Sequence, residues 1–422
     1  MPGGLLLAVA MMFLVRTAVA AVDDAAEGFG ASARGGNGGK ELRVTRLDDD
    51  PKDPQPGSLR WAVSQKGPRI VRFSVSGNIR LKGALIVTEP RLTLDGFDAP
   101  AGGVCICDHS LTFRDTHDII VRYLRVRRGD IDTLKMVERE GLKRPHGSND
   151  LDCISVNDSS DLLFDHVSAS WCNDEVFGIV GGRNVSIQWC IMSEPLSNPK
   201  IHPYGDNHAF GLNLSASTLS LHHSLVAHYV MRGPQFEAND VRPHRTNPRF
   251  EAINNVLFDY ERSGSRYTTG IEDHPELASG SDFAFQFINN MYVHTKPNPE
   301  IEAEMKHGVI SPLKVYLSGN LGPNRTDLKQ DEWKLLFAGR STPMRQAESN
   351  VQAQVSAERL FTPSTPVTTQ SAQDAYELVL ARAGCSNHRD VVDQRIIRDV
   401  REKKTGRVIH SQNDVGGWPK LD

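Results

Sequence analysis

The 422-residue sequence has little cysteine, with six in all, and none of the six shows the spacing of a zinc site. A chain of this size can bury a core without disulfide staples, so Cys105 and Cys107 read as small buried hydrophobes alternating on one strand face. A disulfide among Cys153, Cys172 and Cys190 stays open for an oxidising compartment. There is no basic excess: the formal net charge is −4, which argues against a bulk nucleic-acid surface. Asn-Gly and Asp-Gly hairpin signals are scarce, Asp95-Gly96 being a lone example between strand-like runs, and this disfavours a sandwich of hairpins. Past the N-terminus no apolar run reaches the ~18 residues of a membrane helix. The run Leu5 to Val15, followed by Ala18-Val-Ala20, matches a signal peptide cleaved after Ala20. The expectation is an exported protein, secreted or periplasmic, with no membrane span in its mature form.

Hydrophobic content of 39% and charged content of 24% are globular values. Short β-patterned runs follow one another from about residue 42 to 320, among them Ile119–Val126, Leu162–Val167, Val185–Met192, Leu219–Val226, Phe250–Phe258 and Phe283–Val293. Many share one shape, with alternating apolar residues on either side of a polar or aromatic pivot. The pivots Tyr123, His166, Trp189, His223, Asn255, Asn290 and Asn320 recur every 23 to 43 residues, the interval of a solenoid repeat. The fold expected is all-β, a right-handed single-stranded parallel β-helix. In it Asn255, Asn290 and Asn320 form a hydrogen-bonded ladder and His166 is a ladder histidine. Segments 131–149, 193–207 and 237–248 read as loops on one face. Ser371 to Gly384 reads as a capped helix. The organisation expected is a signal segment (1–20), a β-helix (21–330) and a helix-containing C-terminal extension packed on it (331–422).

The chemistry concentrates between Asp150 and Glu175. Asp150 and Asp152 stand two apart in a strand-like run and share a face, and the acidic pair Asp174-Glu175 follows one strand-turn-strand unit later. Carboxylates held together repel, and oxygen-only ligands suit a hard cation such as Ca2+.

Further stretches stand out along the chain: Gly57-Ser-Leu-Arg-Trp-Ala, Leu92-Thr-Leu-Asp-Gly, His117-Asp-Ile-Ile-Val-Arg-Tyr-Leu-Arg-Val and Asp152-Cys-Ile. Ser170-Trp-Cys-Asn-Asp-Glu175, Arg232-Gly-Pro, Arg389-Asp-Val-Val-Asp-Gln-Arg-Ile and Val415-Gly-Gly-Trp-Pro follow them. In this order they resemble bacterial exported pectate lyases of polysaccharide lyase family 1. The resemblance implies a parallel β-helix that binds calcium and cleaves polygalacturonate, an acidic polysaccharide, by β-elimination to unsaturated oligogalacturonides. It implies no nucleic-acid partner, and the chain is expected to act as a monomer. It places Asp150, Asp152 and Asp174 on calcium ligands and Arg232 on the catalytic base. A further family aspartate falls on Gly178, with Glu175 the candidate replacement. A family arginine falls on Glu237, leaving Arg242, Arg245 or Arg249 to contact substrate. The family lysine falls near His208, so His208 or Lys200 is expected in that role. His208 and His228 are alternative bases, since a neutral imidazole suits proton abstraction better than a guanidinium. Two other functions stay open on the same residues: a glycoside hydrolase using Asp150, Asp152 and Asp174, and a non-catalytic polysaccharide-binding β-helix.

Overall fold

The structure is a computed structural model. It describes residues 25–140, 151–198, 200–201, 208–238, 247–268, 282–294, 301–305, 314–338, 342–343, 355–404 and 408–421. The segment expected to be a signal peptide lies outside these residues.

Three parallel sheets wind through the chain, each coil contributing a strand to each. The first sheet stacks Lys40–Val44, Arg69–Phe73, Leu92–Asp95, His117–Arg122, Ser160–Asp165, the second half of Glu175–Gln188, Thr218–His222, Arg249–Ile253, Ala284–Ile288 and Lys314–Ser318 in register. The second runs from Gly77–Arg80 through Arg125–Arg127, Ser168–Ser170, Ile191–Ser193 and Leu225–Tyr229 to Met291–Val293. The third carries four strands that matter below: β1 (Ile154–Asn157), β2 (Glu175–Gln188), β3 (Phe210–Ala216) and β4 (Gln235–Glu237). This is the expected parallel β-helix. Its interior is a continuous apolar column that includes Val121, Phe164, Ile187, Leu221 and Phe287.

Each β-patterned run of the sequence is in fact two strands joined by two residues between the first and second sheets, of which the first, in the left-handed region, makes the corner. These corner residues are Tyr123, His166, Trp189, His223, Asn254 and Asn289, all with φ between 49° and 54° or at 55°, and then Gly319. The pivot register therefore needs a correction in the last three coils, where Asn255, Asn290 and Asn320 follow the corner rather than occupying it. The aromatic corners stack: ring centroids lie 4.6 Å apart for Tyr123–His166, 6.1 Å for His166–Trp189 and 4.4 Å for Trp189–His223. The asparagines form the expected ladder one step later. The Asn255 side-chain amide donates to Asn290 Oδ1 at 3.0 Å and that of Asn290 donates to Asn320 Oδ1 at 2.9 Å. The same carbonyl oxygens also accept the backbone N–H of Asn255 and Asn290 at 3.0 Å.

Among the described residues four α-helices lie outside the coils: α1 (Leu59–Ser64), α2 (Ile131–Glu140), α3 (Ala372–Arg382) and α4 (Val391–Arg401). Segment 131–149 is thus not a plain loop, since its first ten residues are helical. Helix α3 is the capped C-terminal helix, with the Ser371 Oγ accepting the Asp374 N–H at 3.2 Å. Val379, Leu380, Ile396 and Val400 of α3 and α4 pack on Ile191, Leu225, Val256 and Phe258 of the second sheet. The tail motif closes over a buried cation: Asp390 and Asp393 both ion-pair with the fully buried Arg127, and the Trp418 indole N–H donates to the Arg127 carbonyl at 3.0 Å. All six cysteines are free and buried, so no disulfide joins them.

Asn290→Ala removes the acceptor of two buried donors on Asn255. It should cost about 2–4 kcal/mol in chemical denaturation; a loss below about 0.5 kcal/mol, the scale of an ordinary surface substitution, would show that the ladder contributes little.

Candidate active site

Three of the expected acids converge where the second sheet turns into the third. One oxygen from each of Asp152, Asp174 and Glu175 lies within 4.8 Å of the others. Asp152 is not on a strand face, as its spacing suggested, but in the bend just before β1. Its carboxylate is fixed there by two donors, the Ser155 hydroxyl at 2.7 Å and the Glu175 backbone N–H at 3.1 Å. Gly178 makes room for it: a Cβ at position 178 would fall 2.1 Å from Asp152 Oδ2. An aspartate at 178 and Asp152 as seated here exclude one another, which gives the glycine at this position a physical reason.

Glu175 opens β2, and its Oε1 is ion-paired with Arg232. Arg232 sits in the left-handed region, φ 68°, just before β4, and its guanidinium carbon lies 4.3 Å from the Phe210 ring centroid. The other neighbour of that ring is His208, with centroids 3.9 Å apart, and His208 Nε2 lies 2.7 Å from Asp174 Oδ1. Asp174, His208, Phe210, Arg232 and Glu175 thus form a closed circuit of contacts.

The charges in this circuit are out of balance. Burial, then the charges of Glu175 and Asp174, lift Asp152 well above the ordinary carboxylate range. Burial and the Asp174 charge push Glu175 up to about 8, outweighing the downward pull of Arg232. Burial brings His208 down to about 4, a neutral imidazole at neutral pH. Like-charged carboxylates packed this closely call for a proton or a cation between them, and an all-oxygen donor set fits a hard divalent ion.

Other expected residues are placed elsewhere. Lys200 is exposed in a turn, its backbone N–H held by Asn198 Oδ1 at 3.0 Å. Arg249 begins a first-sheet strand and is ion-paired with Asp282 at 2.8 Å. His228 bonds Asp259 at 2.8 Å, and its second nitrogen is 3.9 Å from Asp399 on α4. Glu237 ends β4 and accepts from Gln235 at 3.2 Å. Asp150, Arg242 and Arg245 lie outside the described residues. Ser155 and Phe210 went unnoticed in the sequence. The first stands three residues after Asp152 and the second two after His208, spacings too ordinary to single out.

The release of protons gives a stability profile with a definite sign. Unfolded, Glu175 loses its proton near 4.5; folded, it keeps it to about 8, so the native state weakens as pH rises across that interval. His208 acts oppositely, adding stability as pH rises from about 4 to 6.5, after which the raised carboxylates Glu175 and Asp152 set the slope. Chelator-treated protein should therefore lose about 1–2 kcal/mol or more between roughly pH 6.5 and 8 in urea denaturation. Glu175→Gln should make that slope shallower, and a flat wild-type profile would contradict the buried proton.

No family model matches the sequence. The chain is 29% identical over 400 residues to the probable pectate lyase C of Aspergillus oryzae, covering 94% of this chain and 81% of that protein. By structure it is similar to jun a 1, the major allergen of cedar pollen, at a TM-score of 0.59 and 17% identity, covering 85% of this chain and 92% of that one. It is also similar to a pectate lyase from Bacillus sp. N165 solved in complex with trigalacturonate, at a TM-score of 0.50 and 12% identity, covering 85% and 98%. With a fungal sequence relative and a plant fold neighbour among these, the bacterial subtype suggested by the motifs is not what the comparisons single out. The chain is thus similar in sequence, over most of its length, to a probable pectate lyase, and it shares the parallel β-helix fold with the solved structures.

Proposed function

We propose that the protein is a calcium-dependent pectate lyase that cleaves polygalacturonate by β-elimination, leaving unsaturated oligogalacturonides. One observation carries the reading: three buried or half-buried carboxylates and one arginine meet at a single corner of the coil, with the arginine seated over an aromatic ring. Acids alone suit a cation, and an arginine alone suits an anion. Together they suit an acidic sugar that a cation bridges to the protein.

Asp152, Asp174 and Glu175, with Asp150 as a further candidate, would hold the ion. Calcium, when bound, supplies charge neutralisation for the uronate carboxylate and for the enolate-like charge that develops beside it. Asp152 is pre-set for this role by its two hydrogen bonds, so little reorganisation is needed on binding. Arg232, which the resemblance makes the base, is the group proposed to take the C5 proton. An ordinary guanidinium stays protonated throughout the physiological pH range, so the base role requires that C5 be acidified and water excluded. The Phe210 ring beneath the guanidinium supplies part of that exclusion. His208, neutral and bonded to Asp174, steadies one candidate ligand, and the resemblance makes it a candidate for the substrate contact of the family lysine. The N-terminal apolar segment supports an exported enzyme, secreted or periplasmic.

Purified protein incubated with polygalacturonate should generate ultraviolet-absorbing unsaturated product with calcium and none after chelation. Reducing ends without that absorbance would point to hydrolysis, and neither signal to a binding protein. Arg232→Lys should lower kcat about a hundredfold or more while sparing calcium affinity; full activity in that variant would remove Arg232 as the base.

A further inference from the structure

We propose that Phe210 is a positioning residue for Arg232: its ring face sets the direction of the guanidinium along the coil stack. Glu175 and Phe210 are register partners on neighbouring strands, and Phe210 bridges in turn to Met231, the residue before Arg232. Glu175, Phe210 and the Arg232 backbone therefore stand on three successive coils, each about 4.8 Å from the next. To reach Glu175 the arginine side chain runs back across the middle coil, and the residue it crosses is Phe210. Its guanidinium carbon lies 4.3 Å from the ring centroid, within cation–π range.

The backbone beneath this contact is equally constrained. The Gly211 N–H donates to the Met231 carbonyl at 3.0 Å, and the Leu212 N–H donates to that of Arg232. A Cβ on Gly211 would come within 2.4 Å of the Arg232 oxygen, so strand β3 can approach this closely only through a glycine. Phe210 is 7% exposed and packs with Ala209, Val230 and Met231, so the ring itself has little room to move.

The ring matters because the ion pair is not a dedicated tether. Glu175 belongs to the acidic cluster as well, and its carboxylate is shared between Arg232 and whatever cation the cluster takes. An arginine held only by that carboxylate would be released whenever the carboxylate turned to the cation. A ring face makes no such exchange. A leucine of similar bulk would fill the space without the quadrupole that attracts the guanidinium.

The kinetic consequence rests on the lyase reading, whereas the ordering of Arg232 does not, and the test separates the two. Protein labelled at arginine is examined by NMR, the Arg232 Nε–H signal being the one that vanishes in Arg232→Lys. In wild type this signal should be ordered and displaced by the ring current. In Phe210→Leu, or Phe210→Met should the leucine variant not fold, it should lose both properties, while Phe210→Tyr and Phe210→Trp retain them. On polygalacturonate, Phe210→Leu should lower kcat about five- to thirtyfold with KM and calcium affinity nearly unchanged, and Phe210→Tyr should restore it. An Arg232 signal as ordered in Phe210→Leu as in wild type would overturn the proposal. A wild-type enzyme silent on polygalacturonate would overturn the lyase reading alone, since the NMR comparison still decides the positioning role.

Discussion

Each coil of this chain must turn back onto the previous one with its strands in register, and left-handed residues at the turns carry that requirement, the one between the first and second sheets recurring from coil to coil. Left-handed backbone costs an ordinary residue roughly 1–2 kcal/mol, and at Tyr123, His166, Trp189 and His223 the cost is offset by ring stacking between coils. In the later coils the asparagine ladder takes over, satisfying buried N–H groups with the next coil's side chain. Because the strands are parallel and in register, fixing this corner also fixes where every other residue of the coil falls.

The acidic corner inherits its geometry from that stacking. Asp152, Glu175, Phe210 and Arg232 come from four consecutive coils, yet they meet because their strands begin at the same height in the third sheet. Asp152 gains its seat only because residue 178 lacks a side chain, and Arg232 gains its backbone position only because residue 211 does. The tail adds a second lock on the opposite side of the second sheet, where Asp390 and Asp393 neutralise Arg127. Truncating one partner of such a buried pair is costly, about 3–5 kcal/mol, which ties the C-terminal segment to the coils.

Much of this was legible in the sequence, and the illegible parts share a cause. First-sheet strands such as Thr218–His222 and the 185–188 stretch show clean alternation because one face lies in the apolar column. The coil interval, the Asn ladder, the capped helix α3 and the cluster of Asp152, Asp174 and Glu175 could be read from pattern and spacing alone. Third-sheet strands were harder. Phe210–Ala216 and Gln235–Glu237 follow insertions of irregular length, so no fixed interval announces them. The one-residue slip of the last pivots has a similar origin, because in Asn254-Asn255 and Asn289-Asn290 both residues are asparagine and only φ tells them apart. The Phe210–Arg232 contact joins residues on neighbouring coils whose spacing carries no signal. Lys200 and Arg249 were reasonable cations by residue type, and the fold gives them other surroundings.

The central claim is that the acidic corner is a cation site that holds a proton in the cation's absence. The most direct measurement is calorimetric titration of calcium into chelator-treated protein at pH 7 in buffers of different ionisation enthalpy. With Asp152 and Glu175 both held above the ordinary carboxylate range, binding one calcium should release about one proton or more, so the observed heat should scale with the buffer's ionisation enthalpy. Binding heat independent of the buffer, or no binding at all, would contradict the account.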